Sequence, residues 1–129
     1  MREILFRGKR VSDGEWVYGN YGFNDTFTDE NHYIFQNEAW DFFVDHETVG
    51  QFTGLTDKNG NRIFEGDIVL FDYIGKNRGV NGKAVVDFNN GKFGVFWGWH
   101  NEFVSLDGFA NSTSEVIGNI HDNPELLET

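Results

Sequence analysis

Residues 50 to 69 read GQFTGLTDKNGNRIFEGDIV, and the whole chain turns on what this stretch is. Asp57, Asn59, Asn61, Glu65 and Asp67 fall within eleven positions, so it is either a cation-binding loop or the turn of a β-hairpin. An EF-hand loop starting at Asp57 would place ligands at Asp57, Asn59 and Asn61, but it needs glycine at the sixth position and a bidentate Glu at the twelfth. Those positions hold Arg62 and Ile68, and a cation at the centre would meet a guanidinium. The turn reading fits better. Asn59-Gly60 is a favoured pair for a two-residue type I′ turn, with Leu55 on one side and Ile63 and Phe64 on the other. Gly66 then frees the backbone to bend, and Asp67 is placed to bond local amides before Ile68 and Val69 turn inward. The stretch is architecture rather than chemistry.

Composition agrees with a β protein. The chain of 129 residues has 14 Phe, 4 Trp, 4 Tyr and 16 Gly, with one Pro and alanine only at positions 39, 84 and 110. Aromatic residues suit pleated surfaces, glycine suits tight turns, and a helical bundle is rarely built from such material. The length suffices for one domain with its own core, without disulfide or metal staples. There is no cysteine, which excludes disulfide scaffolds, zinc-thiolate sites and thiol nucleophiles, and fits a reducing compartment. No apolar run of signal length follows the basic N-terminal residues, and none approaches the ~18 residues of a membrane span. A cytoplasmic protein that engages no membrane is expected.

Strand signals recur along the chain. REILFRG (residues 2 to 8) alternates, and a turn at Asp13-Gly14 leads to Trp16, Val17 and Tyr18 as the second arm of a hairpin. HYIFQN reads as a strand. AWDFFVD suits a strand or a helical turn, so residues 32 to 48 stay open between the two. In DIVLFDYIG, residues Ile68, Leu70, Asp72 and Ile74 share one face. Asn89-Asn90-Gly91 marks a tight hairpin, EFVSLDG and SEVIGNI add extended pieces, and Asn123-Pro124 opens a final helical turn that would pack Leu126 and Leu127. The expected fold is mostly β: an N-terminal aromatic-rich β subdomain over residues 1–58 and a small barrel over 59–129 with a short C-terminal helical turn.

Three segments together carry a family resemblance: REILFRG at the start, TGLTDKNGNRIFEGDIV (53 to 69) in the centre and EVIGNIHDNPELL (115 to 127) at the end. In this order they resemble the YopX-like family of bacteriophage and prophage proteins. Residues 20 to 48 and 76 to 82 match no pattern of that family. The resemblance implies a phage or prophage protein of mostly β structure, with a C-terminal half like an SH3-like barrel, and it implies no reaction. Its motif residues Gly54, Asp57, Asn59, Gly60, Gly66, Asp67, Gly118, Asn119 and Pro124 all have structural explanations.

The formal charge of −11 is unevenly spread. Residues 11 to 57 hold ten acids and no Lys or Arg, and residues 93 to 129 hold six acids and again no Lys or Arg. Duplex nucleic acid is not an expected ligand, because its phosphates require basic surface. The plainer reading is that the acids keep an aromatic-rich protein soluble; the sharper one is an acidic face that binds a basic protein partner, one version of which has Asp25, Asp29 and Glu30 in a nucleic-acid-like display. In FGVFWGWHNEF (93 to 103), Phe96, Trp97 and Trp99 are the candidate contact aromatics, against the plainer reading that they fill a core. His32, His46, His100 and His121 show no metal-ligand spacing, and no nucleophile elbow or phosphate loop occurs. The expectation is a non-enzymatic accessory protein without cofactor that binds a host or phage protein and self-associates. The alternative is a metal-dependent hydrolase or nucleic-acid-modifying enzyme using His46, His100 or His121 with nearby carboxylates.

Overall fold

A computed structural model describes residues 4–23, 32–36, 39–74, 79–97, 102–108 and 110–127. The fold is mostly β, in several antiparallel sheets. The chain divides into two compact units, Met1–Phe52 and Thr53–Thr129.

The first unit holds β1 (Phe6–Arg10), β2 (Trp16–Phe23), β3 (His32–Gln36) and most of β4 (Ala39–Thr56). The turn between β1 and β2 is closed by the Arg10 N–H on the Glu15 carbonyl (2.9 Å) and the Gly14 N–H on the Arg10 carbonyl (2.8 Å). Asp13 stabilises it by accepting the Arg10 guanidinium on both oxygens, at 3.0 and 2.8 Å. That fork, followed by the Glu15 N–H, holds the Asp13 carboxyl below its ordinary value. Residues 39 to 45 are strand, not helix. β4 pairs with β3 (Tyr33 opposite Phe43) and then with β1 (Arg10 opposite Val44, Lys9 opposite Asp45). Val17, Ile34 and Val44 form the buried centre, with Phe6, Tyr21 and Val49 packed against them.

One irregularity shapes this unit. Lys9 lies opposite Asp45 but Arg7 lies opposite Gly50, so residues 46–48 bulge from β4. Thr48 repairs the ladder: its Oγ1 accepts the Lys9 N–H at 2.8 Å and donates to the Asp45 carbonyl at 2.6 Å. Asp45 Oδ1 accepts the Glu47 N–H at 3.1 Å, which fixes the turn inside the bulge.

In the second unit, β4 ends beside β5 (Arg62–Phe64). A three-stranded sheet of order β11-β6-β7 comprises β6 (Asp67–Ile74), β7 (Gly79–Val85) and β11 (Glu115–Asn119). A second sheet of order β10-β9-β8 comprises β8 (Asp87–Asn89), β9 (Lys92–Trp97) and β10 (Glu102–Ser105). The expected barrel is not closed: among the described residues no ladder joins the two sheets. The chain passes between them at buried Val86, whose N–H donates to the Asp67 carbonyl (2.8 Å) while its carbonyl accepts the Gly66 N–H (2.9 Å). Ile63, Val69, Phe71, Val86, Val95 and Leu106 form the core. Strict alternation fails in β6, where Ile68 and Val69 are both buried and Leu70 is exposed. The β11 register shift between Val116 and Gly118 lies opposite that step, with Ile117 as the extra residue of β11. A short helix, α1 (Ala110–Thr113), precedes β11 and has no counterpart in the strand pattern read from sequence. Buried Ser114 Oγ donates to its Ala110 carbonyl at 2.6 Å.

The turn at residues 57 to 61 differs from a two-residue type I′ turn. Gly60 has φ 84°, whereas Asn59 keeps negative φ. The Gly60 N–H reaches the Asp57 carbonyl (3.0 Å) and the Asp57 N–H reaches the Asn61 carbonyl (2.8 Å), giving a three-residue loop with glycine in the left-handed position. The cause is the Asp57 side chain. Its Oδ1 accepts the Asn59 and Asn61 N–H groups at 2.9 Å each, which holds Asn59 in a right-handed turn. Its Oδ2 accepts the Val116 N–H at 2.9 Å, across 59 positions of sequence. The other motif residues are equally structural. Gly54 and Gly66 sit at φ 85° and 92°, and Asp67 Oδ2 accepts the Phe64 N–H at 2.7 Å. Asn119 Oδ1 accepts the His121 and Asp122 N–H groups, each at 3.0 Å. Pro124 opens the final 3-10 turn, Pro124–Leu127; Leu126 is half-buried there, but Leu127 is exposed.

Burial pushes the Asp57 carboxyl up, but the N–H bonds from Val116, Asn61 and Asn59 and the Asn61 amide hold it below its ordinary value. Its stabilisation is therefore present above the unfolded Asp value of about 3.9 and is lost as pH falls through the lower folded value. Asp57→Ala strands three backbone donors and is expected to cost about 3 kcal/mol at neutral pH in urea unfolding, a gap that narrows on acidification. A gap independent of pH would show that the carboxylate charge is not what holds the loop. Gly118→Ala is expected to cost about 1–2 kcal/mol, because the added Cβ would lie 2.6 Å from Asn123 Oδ1 and 2.9 Å from Leu126 Cδ1. An Asn123→Gly background should shrink that cost.

Candidate functional site

With the motif residues committed to scaffolding, the aromatic stretch on β9 is where a surface feature emerges. Strand alternation sends Phe93, Val95 and Trp97 one way and Gly94 and Phe96 the other. Trp97 belongs to the core: its ring meets Phe71 edge-on at 5.5 Å and 74°. It also covers Gly82, where a Cβ would lie 2.6 Å from the indole Nε1. Phe96 instead keeps 40% of its surface exposed. It lies directly opposite Phe103 on β10, ring centroids 5.0 Å apart and tilted by 62°. That pair gains quadrupole attraction beyond area burial. Phe103 in turn lies over Gly94, where any Cβ would strike the ring and the Val104 carbonyl.

β10 is an outer strand of its sheet. Glu102 and Asp107 are exposed, and Asp107 is oriented by the Ser105 hydroxyl, which donates to its Oδ1 at 2.7 Å. Phe88, half exposed on β8, packs edge-on against Phe93 at 4.9 Å. The exposed edge of Phe96 can take up an apolar side chain of a partner. Trp99 lies outside the described residues, as do Asp25, Asp29 and Glu30, and His100.

The remaining histidines group in an unexpected way. His32 on β3 and His46 in the β4 bulge stack with centroids 4.8 Å apart and planes at 26°. Tyr21 also lies parallel to His32, ring centroids 5.8 Å apart, and its hydroxyl is hydrogen-bonded to His32 Nδ1. Burial raises the Tyr21 hydroxyl above its ordinary value. Spacing along the sequence does not announce this contact. It follows from the hairpin register that sets Tyr33 opposite Phe43 and from the bulge beyond it. His121 sits in the turn after β11, where its N–H meets Asn119. Among the described residues no group of three His, Asp or Glu side chains could hold a metal ion. No helix of the described residues is long and apolar enough to cross a membrane.

Among curated proteins, none is similar to this chain. Among solved structures, the crystal structure of protein EF1440 from Enterococcus faecalis is similar at 26% identity and a TM-score of 0.60. The match covers 99% of this chain and 100% of that one. The family model described as YopX protein matches residues 5–128, which take in the central and C-terminal motif segments whole and residues 5 to 8 of the first. The chain belongs to the YopX family.

Proposed function

We propose that this chain is a non-enzymatic accessory protein of a bacteriophage or prophage. It acts in the host cytoplasm by docking a basic segment of a host or phage protein, and it self-associates. The observation that carries the reading is Phe96, a large ring left 40% exposed on the central strand of its sheet, opposite Phe103 on the outer strand β10. It lies within a stretch, residues 93 to 129, that has six acids and no Lys or Arg. A single exposed Phe is ordinary on a protein surface. It is braced by a second ring, and the stretch that carries it is acidic, which suits a partner segment that mixes apolar and basic side chains. An SH3-like character of the second unit belongs to the same proposal: two small antiparallel sheets around one core offer the kind of face on which extended segments dock. So does a nucleic-acid-like display of Asp25, Asp29 and Glu30.

The test compares tagged wild-type protein with Phe96→Ser in host lysate at low and high salt. The substitution removes the packing on Phe103 and should cost about 1–2 kcal/mol of unfolding stability, so retention is compared at a temperature where both forms are folded. The wild type should retain a basic protein that high salt releases and that the variant does not hold. Equal retention by both forms would remove the aromatic face from the reading. Charge reversal at Asp25, Asp29 and Glu30 with unchanged retention would remove the display of acids.

A further inference from the structure

The chain contains three Asn-Gly pairs, Asn59-Gly60, Asn81-Gly82 and Asn90-Gly91. Asparagine is a chemically labile residue, and a following glycine puts no Cβ between its side chain and the next main-chain nitrogen. In local sequence the three pairs are equivalent. The fold makes them different, because attack by that nitrogen on the asparagine side chain needs an N–H without a bond and a segment able to rotate.

At Asn59-Gly60 the Gly60 N–H is spent on the Asp57 carbonyl at 3.0 Å. Buried Asp57 Oδ1 also holds the N–H groups of Asn59 and Asn61, at 2.9 Å each, so the backbone is fixed on both sides of the pair. Asn81-Gly82 lies within the β6–β7 ladder, opposite Asp72 and Phe71. Gly82 is packed under Trp97, and rotation there would pull β7 off its neighbour. Asn90-Gly91 is different. Asn89 and Lys92 are the last ladder partners of β8 and β9, which leaves Asn90 and Gly91 alone as the turn, at φ 50° and 79°. Both are exposed, and a Cβ built on Gly91 would meet nothing within 4 Å. Among the described residues no group accepts the Gly91 N–H, as expected for the second residue of such a turn.

We propose that Asn90 is a self-modification site, at which the chain closes a cyclic imide that water opens to aspartate and isoaspartate. The Gly91 nitrogen gives its proton to solvent hydroxide and its electron pair to the Asn90 Cγ. The bond from Cγ to the side-chain nitrogen breaks, and that nitrogen takes a proton from solvent and leaves as ammonia. Water then adds to one of the two imide carbonyls, and the bond from that carbonyl to the Gly91 nitrogen breaks. Opening at Cγ gives aspartate; opening at the main-chain carbonyl gives isoaspartate. One water is taken up and one ammonia is lost. Either product adds a negative charge to the turn before exposed Lys92, and isoaspartate lengthens the turn by one backbone carbon. The chemistry uses neither the aromatic face nor a partner, so it stands or falls apart from the docking reading.

The test holds the intact chain at mildly alkaline pH in heavy-oxygen water, folded in one sample and unfolded by guanidinium chloride in another. Peptide mapping by mass spectrometry follows each Asn-Gly pair with time. In the unfolded sample the three pairs should convert at similar rates, since only their local sequence remains. In the folded sample Asn90 should convert fastest, with Asn59 and Asn81 at least about tenfold slower, because each must first surrender bonds that hold its segment. The Asn90 product should carry heavy oxygen and separate into two species of equal mass. Equal rates at all three pairs in the folded chain, or an Asn90 as slow as Asn59 and Asn81, would overturn the assignment. Aspartate alone at position 90, with no isoaspartate, would show direct hydrolysis and overturn the imide route.

Discussion

The Asp57 carboxylate is the interaction on which the second unit depends. It is buried, and both oxygens are used: two N–H groups of its own loop on one side, the Val116 N–H on the other. A carboxylate suits this place because it accepts without donating and offers about four lone-pair directions, whereas an amide at the same position would turn one donor toward N–H groups that are donors themselves. The Lys58 N–H on the Ser114 carbonyl (3.0 Å) adds a main-chain bond beside it. From Val116 onward β11 runs along β6, the Ile120 N–H caps the Gly66 carbonyl (3.0 Å), and the C-terminal turn follows. One short polar loop thus sets the register for a strand 59 positions away.

This explains which parts of the fold were legible in the sequence. Asn90-Gly91 forms a two-residue turn as its pattern says, with φ 50° and 79°, because nothing outside the hairpin intervenes. Asn59-Gly60 has the same local signature, yet its neighbour Asp57 captures the Asn59 amide and imposes a longer loop. Local propensity chose a turn; a side chain two residues earlier chose its type. The β4 bulge was illegible for a related reason. Its cause is Thr48 bridging to Lys9, 39 positions away, and no periodicity within β4 reports that. The helix at Ala110–Thr113 is too short to establish a period of its own.

The aromatic stretch shows the same division at the level of a surface. Strand alternation correctly separates Trp97 from Phe96, but it does not say which face is core. That is decided by Phe71 and Gly82 on neighbouring strands, which together make a place for the Trp97 ring. Once Trp97 is inward, Phe96 is outward, and its pairing with Phe103 follows from the β9–β10 register.

Family membership and function therefore rest on different residues. The segments that carry the resemblance, residues 2 to 8, 53 to 69 and 115 to 127, supply turns, a buried carboxylate hub and the close packing under Gly118. Those are requirements for building the fold, and a fold by itself names no activity. Phe96 and Phe103, the candidate contact surface, lie outside those segments. Substituting them leaves the scaffold's hydrogen bonds in place, so two chains sharing the motifs can keep one architecture while presenting different chemistry to their partners. The architecture is fixed by what Asp57 holds together, and binding specificity is free to reside in the side chains that it does not touch.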